Sequence, residues 1–137
     1  MSKQIFVNLP VRDLPKSMAF YTAIGFTNNA QFTDDTAACM VWSDTIYVML
    51  LTHAKWATFT QKPIVNAHES AEVAMALTCE SRAAVDAFVE AGAAHGGKAD
   101  PNPPQDLGFM YQRSLEDLDG HSWEPLYMDM SQVPQHV

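Results

Sequence analysis

The sequence predicts an α+β fold in which paired βαβββ modules form a curled mixed sheet with a concave cavity. Three observations predict it. A strand-like run followed by a cappable amphipathic helix occurs twice, beginning at Ile5 and again at Val73. Short alternating runs separated by turn residues follow each helix. The two halves also align at an offset of about 67, which sets Asp13, Phe20 and Gly25 against Glu80, Phe88 and Gly92 with one residue inserted in the second helix.

The elements follow in order. Ile5 to Val11 reads as a strand. Asp13 can cap a helix whose first turn suits Pro15, with Leu14, Met18, Tyr21 and Ile24 near helical spacing and Gly25 as the stop. Strands are expected at Phe26 to Phe32, Ala37 to Trp42 and Ile46 to Thr52. A short helix at Lys55–Phe59 and a linker from Pro63 to Ser70 lead to the second half. There Val73 to Cys79 reads as a strand, Ser81 can cap a helix carrying Val85, Phe88 and Val89, and Gly92 and Gly96-Gly97 offer stops. Asp100 to Asp106, with three prolines, reads as a loop. Phe109 to Leu115 and Ser122 to Met128 read as strands joined by the turn Glu116-Asp117-Leu118-Asp119-Gly120. With 137 residues the chain reads as one domain, 1–137, because its halves, about 4–60 and 72–130, are each small for independent cores.

Charge narrows the function classes. The formal net charge is −8. Residues 1–68 carry five basic and four acidic side chains, and residues 69–137 carry three and twelve. Such a second half repels a phosphate backbone, so nucleic acid is not an expected partner. It suits solubility and a cationic ligand. No apolar run is long enough to span a bilayer, so no membrane partner is expected. Cys39 and Cys79 sit in apolar runs without CxxC spacing and read as buried free thiols. With an opening that lacks the apolar region of a secretory signal, this points to the cytoplasm.

Few motifs carry chemistry. His95-Gly96-Gly97-Lys98 has neither the phosphate-loop spacing nor the dinucleotide fingerprint. Histidines 53, 68, 95, 121 and 136 form no HxxxH or HExxH pair. His53 reads as surface or cavity rim, and His136 as part of a frayed terminus. Period-two alternation places His121 beside Trp123 and opposite Glu124. Eight methionines read as adaptable packing.

Three segments resemble the vicinal oxygen chelate superfamily, which contains glyoxalase I, extradiol dioxygenases, and fosfomycin and bleomycin resistance proteins. The first runs Val7-Asn8-Leu9-Pro10-Val11-Arg12-Asp13-Leu14-Pro15-Lys16-Ser17-Met18-Ala19-Phe20-Tyr21 and continues to Gly25-Phe26. The second is the strand and helix from Val73 to Gly92. The third is Glu116-Asp117-Leu118-Asp119-Gly120-His121-Ser122-Trp123-Glu124, similar to the family's "DPDG" turn before a strand bearing glutamate. The likeness is greatest to bacterial glyoxalase-like members without an assigned activity.

In metal-dependent members, four strands each present one ligand, usually His, Gln or Glu. The resemblance places Phe6, Leu50, Val73 and Glu124 at those positions, so Glu124 is the only retained donor and no metal cofactor is expected. A divalent ion wants three or four protein donors. A register shifted by one residue would present Ile5, Leu51 and Glu72 instead and recover one more donor.

Strand alternation projects a cavity wall of Phe6, Asn8, Val48, Leu50, Val73, Met75, Ser122, Glu124 and Leu126, with Tyr111, Arg113 and the loop from Pro101 to Gly108 at its mouth. Such a wall fits a small organic ligand, cationic or aromatic, and equally a self-filled core. Arg113 suits an ion pair with a neighbour or a ligand anion. The expected function is therefore small-molecule binding, as in sequestration by bleomycin resistance proteins. The alternatives are a metal-dependent lyase or dioxygenase of the glyoxalase type, for which a divalent metal would be the cofactor, and metal-free catalysis with Glu124 as base. The resemblance also implies a homodimer.

Overall fold

The computed structural model describes residues 2–134, and the chain divides into two compact units, Met1–Ser70 and Ala71–Val137. In the first, β1 (Ile5–Val11) leads into α1 (Leu14–Ala23). The Asp13 carboxylate caps α1 by accepting the backbone N–H of Lys16 at 3.1 Å. Pro15 then sits in the first turn, where its missing N–H leaves no bond unmade. β2 (Thr27–Asn29), β3 (Ala37–Val41) and β4 (Ile46–Thr52) complete a sheet of order β1-β4-β3-β2. β1 runs parallel to β4, and the other pairs are antiparallel.

Two elements differ from expectation through side-chain capping. β2 is shorter than Phe26 to Phe32 because the Asn29 side chain accepts the N–H of Gln31 at 3.1 Å and coils Ala30–Phe32 into a 3-10 turn. The short helix α2 (His53–Trp56) starts before Lys55 because the Thr52 hydroxyl accepts the N–H of Lys55 at 3.2 Å.

Strand register sets the core of this unit. Val7 pairs with Val48 and Leu9 with Leu50. Val48 and Leu50 in turn pair with Met40 and Ala38. Leu9, Val11, Ala38, Met40, Val48 and Leu50 are all buried, as are Leu14, Phe20 and Tyr21 of α1. Each large side chain so buried contributes about 1.5–3 kcal/mol.

The second unit repeats the plan with interruptions. β5 (Ala74–Thr78) leads to α3 (Arg82–Ala94), capped by the Ser81 hydroxyl, which accepts the N–H of Ala84 at 3.0 Å. The short strands β6 (Lys98–Ala99), β7 (Gln105–Asp106), β8 (Met110–Gln112) and β9 (Leu115–Glu116) precede β10 (Ser122–Met128). Ser122 pairs with Ala74 and with Glu116, so β5 and β9 flank β10 on opposite edges. β5 is parallel to β10, whereas β8 and β9 are antiparallel to it along the other edge. β7 and β6 pair outward with β8 and β9. β8 and β9 thus act as one strand broken at Arg113-Ser114, and β6 and β7 as another broken at Asp100–Pro104.

Four readings change here. The stretch expected as loop from Asp100 to Asp106 ends in β7. The strand expected over Phe109 to Leu115 is broken, because the Ser114 hydroxyl bonds the backbone of Asn102 instead. Ser81, not Glu80, is the counterpart of the Asp13 cap. Gly92 is no stop: α3 continues to Ala94 and ends at His95. Phe20 and Phe88 do correspond, each buried on its helix.

Gly92 has a different task. A Cβ at this position would overlap both Cδ atoms of the fully buried Leu115 on β9. The glycine therefore lets α3 approach the sheet closely. Gly92→Ala should lower the unfolding free energy by about 1–3 kcal/mol. Urea denaturation should show this as a lower midpoint at unchanged slope.

Candidate functional site

β10 is the axis of the second unit, and its alternation sorts the side chains. Trp123 and Pro125 pair with Met75 and Leu77 and face the α3 side, where Trp123, Leu77, Leu115, Val85, Phe88 and Val89 form the core. Ser122, Glu124 and Leu126 pair with Ala74, Ala76 and Thr78 and face away from it. All three partners are exposed and small, so the strand beside Glu124 leaves space above itself.

A cavity of about 260 Å³ opens on this side. Glu124, Ser122, Glu72, Val73, Pro101 and Asn102 are among its lining residues. The wall carrying Pro101 and Asn102 is tied down. The N–H of Asp100 donates to the Ser114 carbonyl at 2.8 Å. The N–H of Asn102 donates to the Ser114 hydroxyl at 3.0 Å, which donates back to the Asn102 carbonyl at 3.1 Å. Asp100 holds a left-handed backbone, φ 53°, and its carboxylate takes two bonds from Arg113, at 3.0 and 2.7 Å.

Arg113 is the hub of this arrangement. Its side chain is only 11% exposed, and the guanidinium also reaches Asp86 and Glu90 of α3, each at 3.0 Å. Tyr111 donates to the same Asp86 at 2.7 Å. The Asp100 bonds, followed by those to Asp86 and Glu90, hold Arg113 above its ordinary pKa. The Tyr111 hydroxyl, then Arg113, lowers Asp86, while Asp86 raises Tyr111. A second clamp joins Arg82 to Asp106 through two bonds, at 2.9 and 3.0 Å, and to the Gly108 carbonyl at 2.9 Å.

The structure separates the projected wall. Val48 and Leu50 pair with Val7 and Leu9, are fully buried, and do not share a face with Phe6 and Asn8. Partners in β1 and β4 differ by 41 in number, so even residues of one strand lie beside odd residues of the other. The side chains beside Phe6 and Asn8 are Tyr47 and Met49, and Phe6 stacks on Tyr47 with centroids 4.5 Å apart. In the second unit the partners differ by 48, so Met75 falls on the Trp123 side rather than beside Glu124. Val73 precedes β5 and lines the cavity. Tyr111 pairs with Tyr127 and turns to α3, not to the cavity mouth. Arg113 is held by three carboxylates and is not available to a ligand anion.

Glu72 is the group the projected wall left out. It lines the same cavity as Glu124, and the register shifted by one residue, which presents Glu72, is the reading of the sequence that includes it. His121 has its N–H bound by the Asp117 carboxylate at 2.8 Å within the Asp117–Gly120 turn. His53 and His68 are exposed, and His136 lies outside the described residues. Cys39 is buried and Cys79 half-buried, and both are free. Burial pushes the Cys79 thiol up to about 11, which keeps it protonated and unreactive near neutrality.

The metal-dependent chemistry of related folds needs three or four donors. Among the described residues no group of three or more His, Cys, Asp or Glu side chains could hold a metal ion. Glu72 and Glu124 are two carboxylates, and among the described residues lining their cavity there is no His or Cys. This donor set does not fit such an ion.

Comparison with known proteins bears on the fold. Residues 3–43 match the family of the bleomycin resistance protein-like N-terminal region. No curated protein matches the chain. Among solved structures, the hypothetical protein SA1046 from S. aureus is 28% identical, with 93% of this chain and 95% of that chain covered and a TM-score of 0.77. A glyoxalase/bleomycin resistance protein/dioxygenase family enzyme from Burkholderia phytofirmans PsJN is 17% identical, covering 93% and 99%, with a TM-score of 0.73. The fosfomycin resistance protein FosX from Listeria monocytogenes is 18% identical, covering 96% and 97%, with a TM-score of 0.68. The chain has the glyoxalase/bleomycin resistance/dioxygenase-like fold of the vicinal oxygen chelate superfamily. No helix among the described residues is long and apolar enough to cross a membrane.

Two outcomes follow from the clamps. Arg113→Ala should cost about 2–3 kcal/mol in urea denaturation, less than a fully buried pair because Asp86 and Glu90 still meet water. The bonds from Arg82 hold Asp106 down to about 2, below the ordinary 3.8. Its stabilisation is complete above the unfolded value and is lost as pH falls through the folded one. Melting points measured from about pH 6 to about pH 2 should fall on the acid side, and less steeply in Asp106→Asn.

Proposed function

We propose that this protein binds a small organic molecule and acts by sequestering it, without a metal-centred reaction. The observation that carries the reading is the donor set. The cavity of the second unit presents two carboxylates, Glu72 and Glu124, whereas a divalent ion needs three or four protein ligands. A cavity that combines apolar contacts with hydroxyl, amide and carboxylate groups suits an organic ligand. The match of residues 3–43 to the bleomycin resistance protein-like N-terminal family supports the likeness to bleomycin resistance proteins from which the sequestration reading is drawn. The proposal includes a homodimer, which sedimentation equilibrium would show as twice the 15.2 kDa chain mass.

The test is the metal content of protein purified without chelator, measured by elemental mass spectrometry before and after incubation with Zn, Ni, Mn and Fe salts. The expected result is no near-stoichiometric retention after desalting. Retained metal that disappears in Glu124→Ala would overturn the reading and turn attention to glyoxalase and dioxygenase substrates.

A further inference from the structure

We infer that the cavity of the second unit takes a compact organic cation, an alkylammonium or arylalkylammonium, with its charge against Glu124 and Glu72. The inference rests on the small-molecule reading and deepens it.

Charge bookkeeping carries it first. The unit has three basic side chains, Arg82, Lys98 and Arg113. Each is committed to a carboxylate: Arg82 to Asp106 at 2.9 Å, Lys98 to Glu116 at 4.0 Å, and Arg113 to Asp86, Glu90 and Asp100. Among the described residues neither Glu72 nor Glu124 has an ion-pair partner, yet both line the cavity. An entering anion would meet two carboxylates and no counter-charge. An entering cation would meet a concave wall that concentrates the negative potential.

Shape and chemistry narrow the class. At about 260 Å³ the cavity is small, so the ligand is compact. Val73 and Pro101 supply apolar contact, which a hydrated inorganic ion cannot use and an alkyl or aryl group can. An ammonium brings three donors, and the ionised carboxylates are acceptors only. The Ser122 hydroxyl and the Asn102 amide can accept a further bond. The wall is already formed, because Pro101 and Asn102 are fixed through Ser114 and the Asp100–Arg113 pair, so binding need not order a loop.

The experiment titrates the full-length, nitrogen-15-labelled protein with benzylammonium, benzyl alcohol and benzoate at constant ionic strength, following backbone amide shifts. Benzylammonium at millimolar concentration should give saturable shifts at residues 72–74, 102 and 122–124, and benzoate none. Glu124→Gln should weaken the benzylammonium response about tenfold, the worth of one charge-assisted bond, and Glu72→Gln should weaken it in the same direction. Glu80→Gln, which changes charge at a residue outside the cavity lining, should leave it unchanged. Equal binding of benzyl alcohol and benzylammonium at these residues would overturn the cation inference while leaving small-molecule binding standing. Undiminished benzylammonium binding in Glu124→Gln with a native spectrum, or no shifts at these residues with benzylammonium, would also overturn it. Stoichiometric metal retention, the separate measurement above, would overturn the underlying reading.

Discussion

The parallel pairing of each unit's first strand with its last is the constraint on which the rest depends. In a strand the side-chain period is two, so pairing register alone decides whether a residue enters the core or the open face. Leu9 opposite Leu50, and Leu77 opposite Pro125, place the apolar alternates under cover. Glu124, one step along from Pro125, is then turned to the open side. A carboxylate on the α3 side would have to share space with Trp123, Leu115 and Val89, where an unpaired charge is costly. The packing demand of the core and the placement of the candidate ligand group are therefore one requirement.

Electrostatics in the second unit follow a division of labour. The cations are spent on architecture. Arg113 joins α3 to the Asp100 backbone turn, and Arg82 joins the start of α3 to the β7–β8 connection. Arg82 also lies over the Tyr111 ring, 5.2 Å from its centroid, so the aromatic that donates to Asp86 is packed from a second side. These bonds fix the broken strands against the helix. Glu72 and Glu124 are displayed on the opposite side of the sheet. Acidity here is thus a surface property with a location, not a uniform coat.

Much of this was legible from the residues. The caps Asp13 and Ser81, the strands Ile5–Val11, Ile46–Thr52 and Ser122–Met128, and the buried Phe20 and Phe88 all follow from local chemistry and spacing. Register did not follow, because the alternation of each strand is compatible with two pairings to a distant partner. Alternation alone therefore puts Val48, Leu50 and Met75 on an open wall, whereas pairing turns them away from it. The roles of Tyr111 and Arg113 depend on carboxylates 13 to 27 residues away, beyond what local pattern can supply. Gly92 looks like a terminator in sequence and proves to be a contact point, because only the tertiary neighbour Leu115 reveals the distinction.

The interruptions of the second unit have a consequence for self-association. β6 and β7 form its outer edge, and each is two residues long. Between them the chain leaves the ladder through Asp100 and a bend at Pro101-Asn102, with Pro101, Pro103 and Pro104 unable to donate backbone bonds. An incoming extended segment would find no uninterrupted row of amides to pair with on this side. The break that gives the cavity its wall also denies a foreign strand a template, a safeguard against fibrillar growth built from the same five residues.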